Sequence, residues 1–262
     1  MELKTVLLAE SDGVSTITLN RPEKRNAINF QLIDELMAAL EAVRHAASQV
    51  LVLTGAGSAF CSGMDLESLK TLSAAGRSFE ENLKDSESMA LLFRSIYDFP
   101  KPTIAAVNGA AIAGGTGIAT SCDFTLASKD AKFGYTEVRI GFIPAIVSSL
   151  LKRQVGEKHA RDLLLTGRVF GAEEAYRMGL VNEVVEPEKL MPRTRELAAA
   201  LMENSPTSIR LTKALLSEYA RAQLDREMQL GQEENARIRA TADFREGVTA
   251  FLEKRKAKWT GK

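Results

Sequence analysis

One acid, Glu137, stands in the otherwise mostly apolar run KFGYTEVRIGFIPAI (132–146). A carboxylate in such surroundings loses hydration and its pKa rises, which suits it to move protons near neutral pH. The competing reading is a surface glutamate paired with Arg139 or a lysine. Upstream, AVNGAAIAGGTGIATSCD (106–123) runs from an apolar segment into a glycine pair where a helix should begin. The first amides of a helix have no intrahelical acceptor and sit at the positive end of its dipole. Small residues there let a ligand oxygen approach the backbone, which suits oxyanion stabilisation. The same glycines would also serve close helix–strand packing. A third segment, GSAFCSGMDLESL (57–69), places Gly63 at an expected turn. It offers the N–H of Met64 as a second donor, or is an ordinary strand-to-helix connection.

Other glycine patterns are excluded. TGAG (54–57) follows an expected strand, but Gly55 and Gly57 are followed by Phe60, and Gly115 and Gly117 by Thr120. Both miss the GxGxxG fingerprint of a dinucleotide loop, and no GxxxxGK[ST] occurs. A nucleotide-dependent oxidoreductase is therefore a poor reading.

The elements that must position these residues alternate. Residues 3–9 and 14–19, separated by the turn Ser11–Gly13, predict a β-hairpin. Asn29 is placed to cap a helix reaching Ala46, with Leu32, Ile33, Leu36, Leu40 and Val43 on one face. VLVLTGAG (50–57), TIAAVNG (103–109) and DFTLAS (123–128) read as buried strands. Residues 67–84 are polar and irregular and predict a mobile loop, followed by a helix from Asp85 to Asp98. The segment 145–180 predicts short helices, 181–185 a strand and 188–203 a helix. The tail predicts helices over 207–220, 222–240 and 243–257. Strands alternating with helices predict an α/β fold with a parallel sheet. The domain division is a core over 1–203 and a helical oligomerisation region over 204–262.

Composition narrows the function classes. The chain has 262 residues, 45% hydrophobic, with 34 basic and 34 acidic side chains. Zero net charge argues against a general nucleic-acid binder. Two cysteines and two isolated histidines make neither a disulfide framework nor a zinc site, so no metal is expected. No run approaches a membrane span, and MELKTVLLAESDG has no secretory pattern. The expectation is a cytoplasmic protein without a membrane partner.

Together these segments resemble the crotonase superfamily, the enoyl-CoA hydratase/isomerase family. The resemblance rests on ITLNRPEKRNAIN (17–29), FCSGMDL (60–66), KPTIAAVNGAAIAGGTGIATSCDFTLAS (101–128), FGYTEVRIGFIP (133–144), LLLTGRVFGAEEAYRMGLVNEVV (163–185) and FREGVTAFLEKRKAKW (244–259). It implies a spiral of ββα units with a C-terminal helical region, assembled as a homotrimer or a dimer of trimers. It implies an acyl-CoA substrate, with no cofactor beyond the coenzyme A that the substrate carries. Backbone N–H groups of Met64 and Gly114 would hold the thioester oxygen, and Glu137 would transfer protons. Lys24, Ala27 and the strip Met64, Asp65, Leu66 and Glu67 would border coenzyme A, with Phe251 and Lys254 at its nucleotide end.

The chain departs from the family at one position. Hydratases proper carry a second glutamate where Gly117 stands. With one carboxylate the simplest chemistry is a proton shuttle between carbons, as in Δ3,Δ2-enoyl-CoA isomerisation. The wording FGYTEVRIGFIPAIV nevertheless looks like a hydratase-like bacterial branch. Tyr135 or backbone groups could then hold water, and Asp65, Glu67, Asp85 or Glu87 could substitute for the missing acid. A catalytically silent acyl-CoA- or RNA-binding scaffold is the reading from another class.

Overall fold

Asp12 and Gly13 adopt φ of 51° and 76°, the backbone of a tight two-residue hairpin turn. In the computed structural model, which describes residues 3–262, they join β1 (Val6–Ser11) to β2 (Val14–Leu19) in antiparallel register. Asn29 then caps α1 (Phe30–His45), its side chain accepting from the Leu32 N–H at 2.8 Å. The chain continues through β3 (Val50–Gly55), β4 (Ala59–Cys61), α2 (Leu66–Leu72) and α3 (Phe79–Tyr97). Next come β5 (Thr103–Val107), β6 (Ala110–Ile112), α4 (Gly114–Thr120), β7 (Phe124–Ser128) and β8 (Lys132–Gly134). Then follow α5 (Ala145–Thr166), β9 (Val169–Gly171), α6 (Ala172–Arg177), β10 (Glu183–Val185) and α7 (Leu190–Met202). The tail holds α8 (Pro206–Ile238) and α9 (Ala242–Leu252).

The strands form two sheets, ordered β1-β2-β3-β5-β7-β10 and β4-β6-β8-β9. Three successive units share one plan: a strand of the large sheet, a strand of the small sheet, then a helix. They are β3–β4–α2, β5–β6–α4 and β7–β8–α5. This is the expected α/β fold of repeating ββα units with a C-terminal helical region. Pairing between successive units is parallel in both sheets. Because helices cover both faces, β5 is buried at every residue and β3 at four of six, which explains their continuous apolar runs. The main core packs α1, α3, α4 and α5 around fully buried Phe60, Phe93, Phe99 and Phe133. A smaller core joins Val50, Val52 and Ile104 of the large sheet to Leu190 and Ala198 of α7.

Several boundaries correct the sequence expectations. Residues 67–84 are not a loop: they hold α2 and the start of α3. Ser78 and Glu81 form a capping box for α3, with bonds of 3.1 and 2.7 Å. Most of this segment faces outward, so polarity concealed its helices. The tail helices expected over 207–220 and 222–240 are one helix, α8, and the last helix ends at Leu252 rather than 257. Over 145–180 the expected short helices are largely α5, broken at Gly156, whose φ of 73° is not helical.

The tail is packed onto the body. Helix α8 lies against α3 and α5, and α9 lies against the turn at 137–140 and against α2. Two glycines permit the last contact. A Cβ on Gly247 would overlap the backbone of Ile140, and one on Gly141 (φ 67°) would overlap that of Asp243.

Candidate active site

Three neighbouring strands of the small sheet, β4, β6 and β8, run parallel and end in the three segments singled out above. Ligands of α/β folds collect at such carboxyl ends. Past β4, Gly63 has φ of 87° and Met64 follows. Past β6, Ala113 has φ of 51° and Gly114 opens α4. A positive φ at alanine costs on the order of 1–3 kcal/mol and persists only where surroundings enforce it. Here the Ala113 N–H bonds the Gly134 carbonyl at 2.7 Å, and the turns abut: a Cβ on Gly63 would sit 3.0 Å from the Ile112 oxygen. Ile28 straddles Met64, its N–H bonding Gly63 and its carbonyl accepting from Asp65. The N–H groups of Met64 and Gly114 are thereby left without acceptors among the described residues. Gly115 does the packing: a Cβ there would overlap the Cys61 carbonyl. The two readings of the glycine pair thus separate by one residue.

Past β8, Glu137 opens a 3-10 turn, Glu137–Ile140. Its residue is 9% exposed and its Oε2 has no hydrogen-bond partner. Burial pushes its carboxyl up to about 7. Neither Arg139 nor a lysine pairs with it among the described residues. All three segments line one cavity of about 870 Å³.

The remaining candidates are distributed as follows. Lys24, Ala27, Asp65, Leu66, Glu67 and Phe251 line the same cavity, and Lys254 does not. Lys254 follows α9 in a left-handed conformation, and Arg255 and Ala257 line the wall beyond it. Asp65 caps α2 through the Glu67 N–H and pairs with Arg21, both at 2.9 Å. Burial opposes its charge, but the Glu67 N–H and the Arg21 guanidinium hold its carboxyl below the usual value.

The sequence profile of the family described as enoyl-CoA hydratase/isomerase matches residues 9–262. The chain belongs to the enoyl-CoA hydratase/isomerase family. A Thermus thermophilus protein with a provisional enoyl-CoA hydratase name is 44% identical over 94% of this chain and 97% of its own. A crotonyl-CoA hydratase of Syntrophomonas wolfei is 37% identical over the full length of both. A solved enoyl-CoA hydratase/isomerase from Xanthobacter autotrophicus Py2 superposes with a TM-score of 0.89. It is 30% identical and covers 99% of this chain and all of its own.

The departure at Gly117 has a structural counterpart in this family member. A Cβ on Gly117 would lie 2.6 Å from Val147 and 2.8 Å from Phe93. Both side chains are buried and line the cavity, so they fill the space a glutamate would need. The substitutes weighed above fare differently. Tyr135 is fully buried with its hydroxyl 3.4 Å from Thr120, and it does not line the cavity. Glu87 is exposed and off the cavity, while Glu67 pairs with Lys70 at the surface. Asp85 lines the cavity but is engaged by Arg77 and Arg239. Phe93, Val147, Asn235 and Arg239 carry no local sequence signal. They come from three different helices or their ends, and only the fold brings them together.

Proposed function

We propose that this enzyme is an enoyl-CoA hydratase, adding water across the double bond next to the thioester of an acyl-CoA. The observation that carries the reading is Glu137. It is a buried carboxyl near neutral pKa whose Oε2 has no partner, beside two strand ends with free backbone N–H groups. In this scheme Met64 and Gly114 donate to the thioester oxygen as it gains negative charge. Losing one such donor costs roughly 3–4 kcal/mol of catalysis. The water oxygen bonds to C3 while its proton passes to Glu137, and Glu137 then delivers a proton to C2. One carboxyl balances both transfers. Lys24, Ala27, the strip 64–67 and Phe251 border the coenzyme A carried by the substrate, with Lys254 outside the cavity toward its nucleotide end, and no separate cofactor or metal is needed.

A second reading, Δ3,Δ2-isomerisation, is favoured by Phe93 and Val147 filling the place of a second carboxylate. Incubation with 2-enoyl- and 3-enoyl-CoA in heavy-oxygen water separates the two. Hydration puts label into a 3-hydroxyacyl product, and isomerisation leaves the product unlabelled. Absence of acyl-CoA binding in calorimetry would instead favour a silent scaffold.

The reading extends to a cytoplasmic homotrimer or dimer of trimers, without nucleic acid or membrane partners. Leu211, Leu215, Leu216 and Tyr219 support assembly: they expose apolar surface along α8 in the tail assigned to oligomerisation.

A further inference from the structure

We infer that the deep end of the cavity is built to receive an acyl chain ending in a carboxylate. The inference rests on the acyl-CoA reading above and names the substrate class within it. The mouth is marked by half-exposed Phe251, while Arg239 and Asn235 are at most 7% exposed. Arg239 donates to Asn235 at 2.8 Å and to Asp85 and Ser86 at 3.3 Å. Its Nε has no acceptor among the described residues. Asp85 is also bound by Arg77, and it is the only acid paired with either arginine among the described residues. Two guanidinium groups therefore share one carboxylate, and a buried positive charge is left without a counter-ion. Burying an unpaired charge and an unmade hydrogen bond is costly. A second carboxylate would relieve both, and the planar guanidinium suits it better than any neutral group.

The placement fits a substrate tail. The Arg239 guanidinium lies 5.7 Å from the Phe142 ring centre, and the Phe142 N–H bonds the Glu137 carbonyl at 3.0 Å. One aromatic residue thus separates the charged pocket from the turn bearing the proton carrier. An acyl chain reacting at Glu137 would carry its far end toward Arg239.

Calorimetry with saturated acyl-CoA pairs of equal length, one ending in methyl and one in carboxylate, tests this without turnover. The carboxylate-ended thioester is expected to bind roughly 10- to 100-fold tighter, the ratio for a hydrogen bond to a charged group. In Arg239→Met that ratio should fall to about one, whereas Arg239→Lys should retain part of it. Equal or tighter binding of the methyl-ended partner by the native protein would overturn the inference alone. Failure to bind either would overturn the acyl-CoA reading and this inference with it.

Discussion

Glu137 trades stability for chemistry. Its carboxyl titrates near 7 when folded and near 4.5 when not, so the folded chain holds the proton more tightly. Its contribution to stability is complete at low pH and is lost as pH rises through about 7. Glu137→Gln should therefore melt higher than the native protein at pH 8, by up to about 3 kcal/mol, and melt with it near pH 4. Thermal unfolding at the two pH values checks this. Activity has the opposite slope, because the base must be ionised. The expected kcat/KM rises about tenfold per pH unit below about 7 and levels above it, measured as a pH–rate profile. Gly117→Glu should not install the missing partner. Its side chain meets Val147 and Phe93, and overpacking of this kind costs typically 1–3 kcal/mol. A lower melting temperature with no gain in hydration is the expected result. Glu137 was legible in the sequence because a lone acid in an apolar run is a local signal. The filling of Gly117 was not, because Phe93 and Val147 lie on other helices.

The site depends on how α9 seats against the Glu137 turn. Gly247 meets Ile140 at backbone contact, so Gly247→Ala must move either the helix or the turn. The variant should lose roughly 1–3 kcal/mol of stability and a larger share of kcat than of KM, read from unfolding and steady-state kinetics. Elements with strong periodicity or caps were legible: Asn29 and the apolar face of α1 fixed that helix to within a residue. The helices in 67–84 were missed because outward-facing positions show no apolar stripe, although Ser78 and Glu81 spelled a capping box. Gly156 explains the reading of α5 as shorter pieces.

For the whole molecule, the tail is both wall and exposed surface. It supplies Asn235, Arg239, Phe244 and Phe251 to the cavity, and Leu211, Leu215, Leu216 and Tyr219 stand exposed on α8 away from it. If those residues mediate assembly, Leu216→Lys should lower the oligomeric state in analytical ultracentrifugation. The ββα spiral was implied by the family resemblance, while the alternation of strand and helix was visible in the apolar pattern. Which strands would share the small sheet was not, since β4, β6 and β8 are three residues each and their pairing is long-range.

The most direct test of the central claim is steady-state turnover of a 2-enoyl-CoA by the native enzyme and by Glu137→Gln. Glutamine keeps the shape and cannot accept the proton. Loss of roughly 10²–10⁴-fold in kcat with little change in KM is the predicted result. Undiminished turnover would contradict the account.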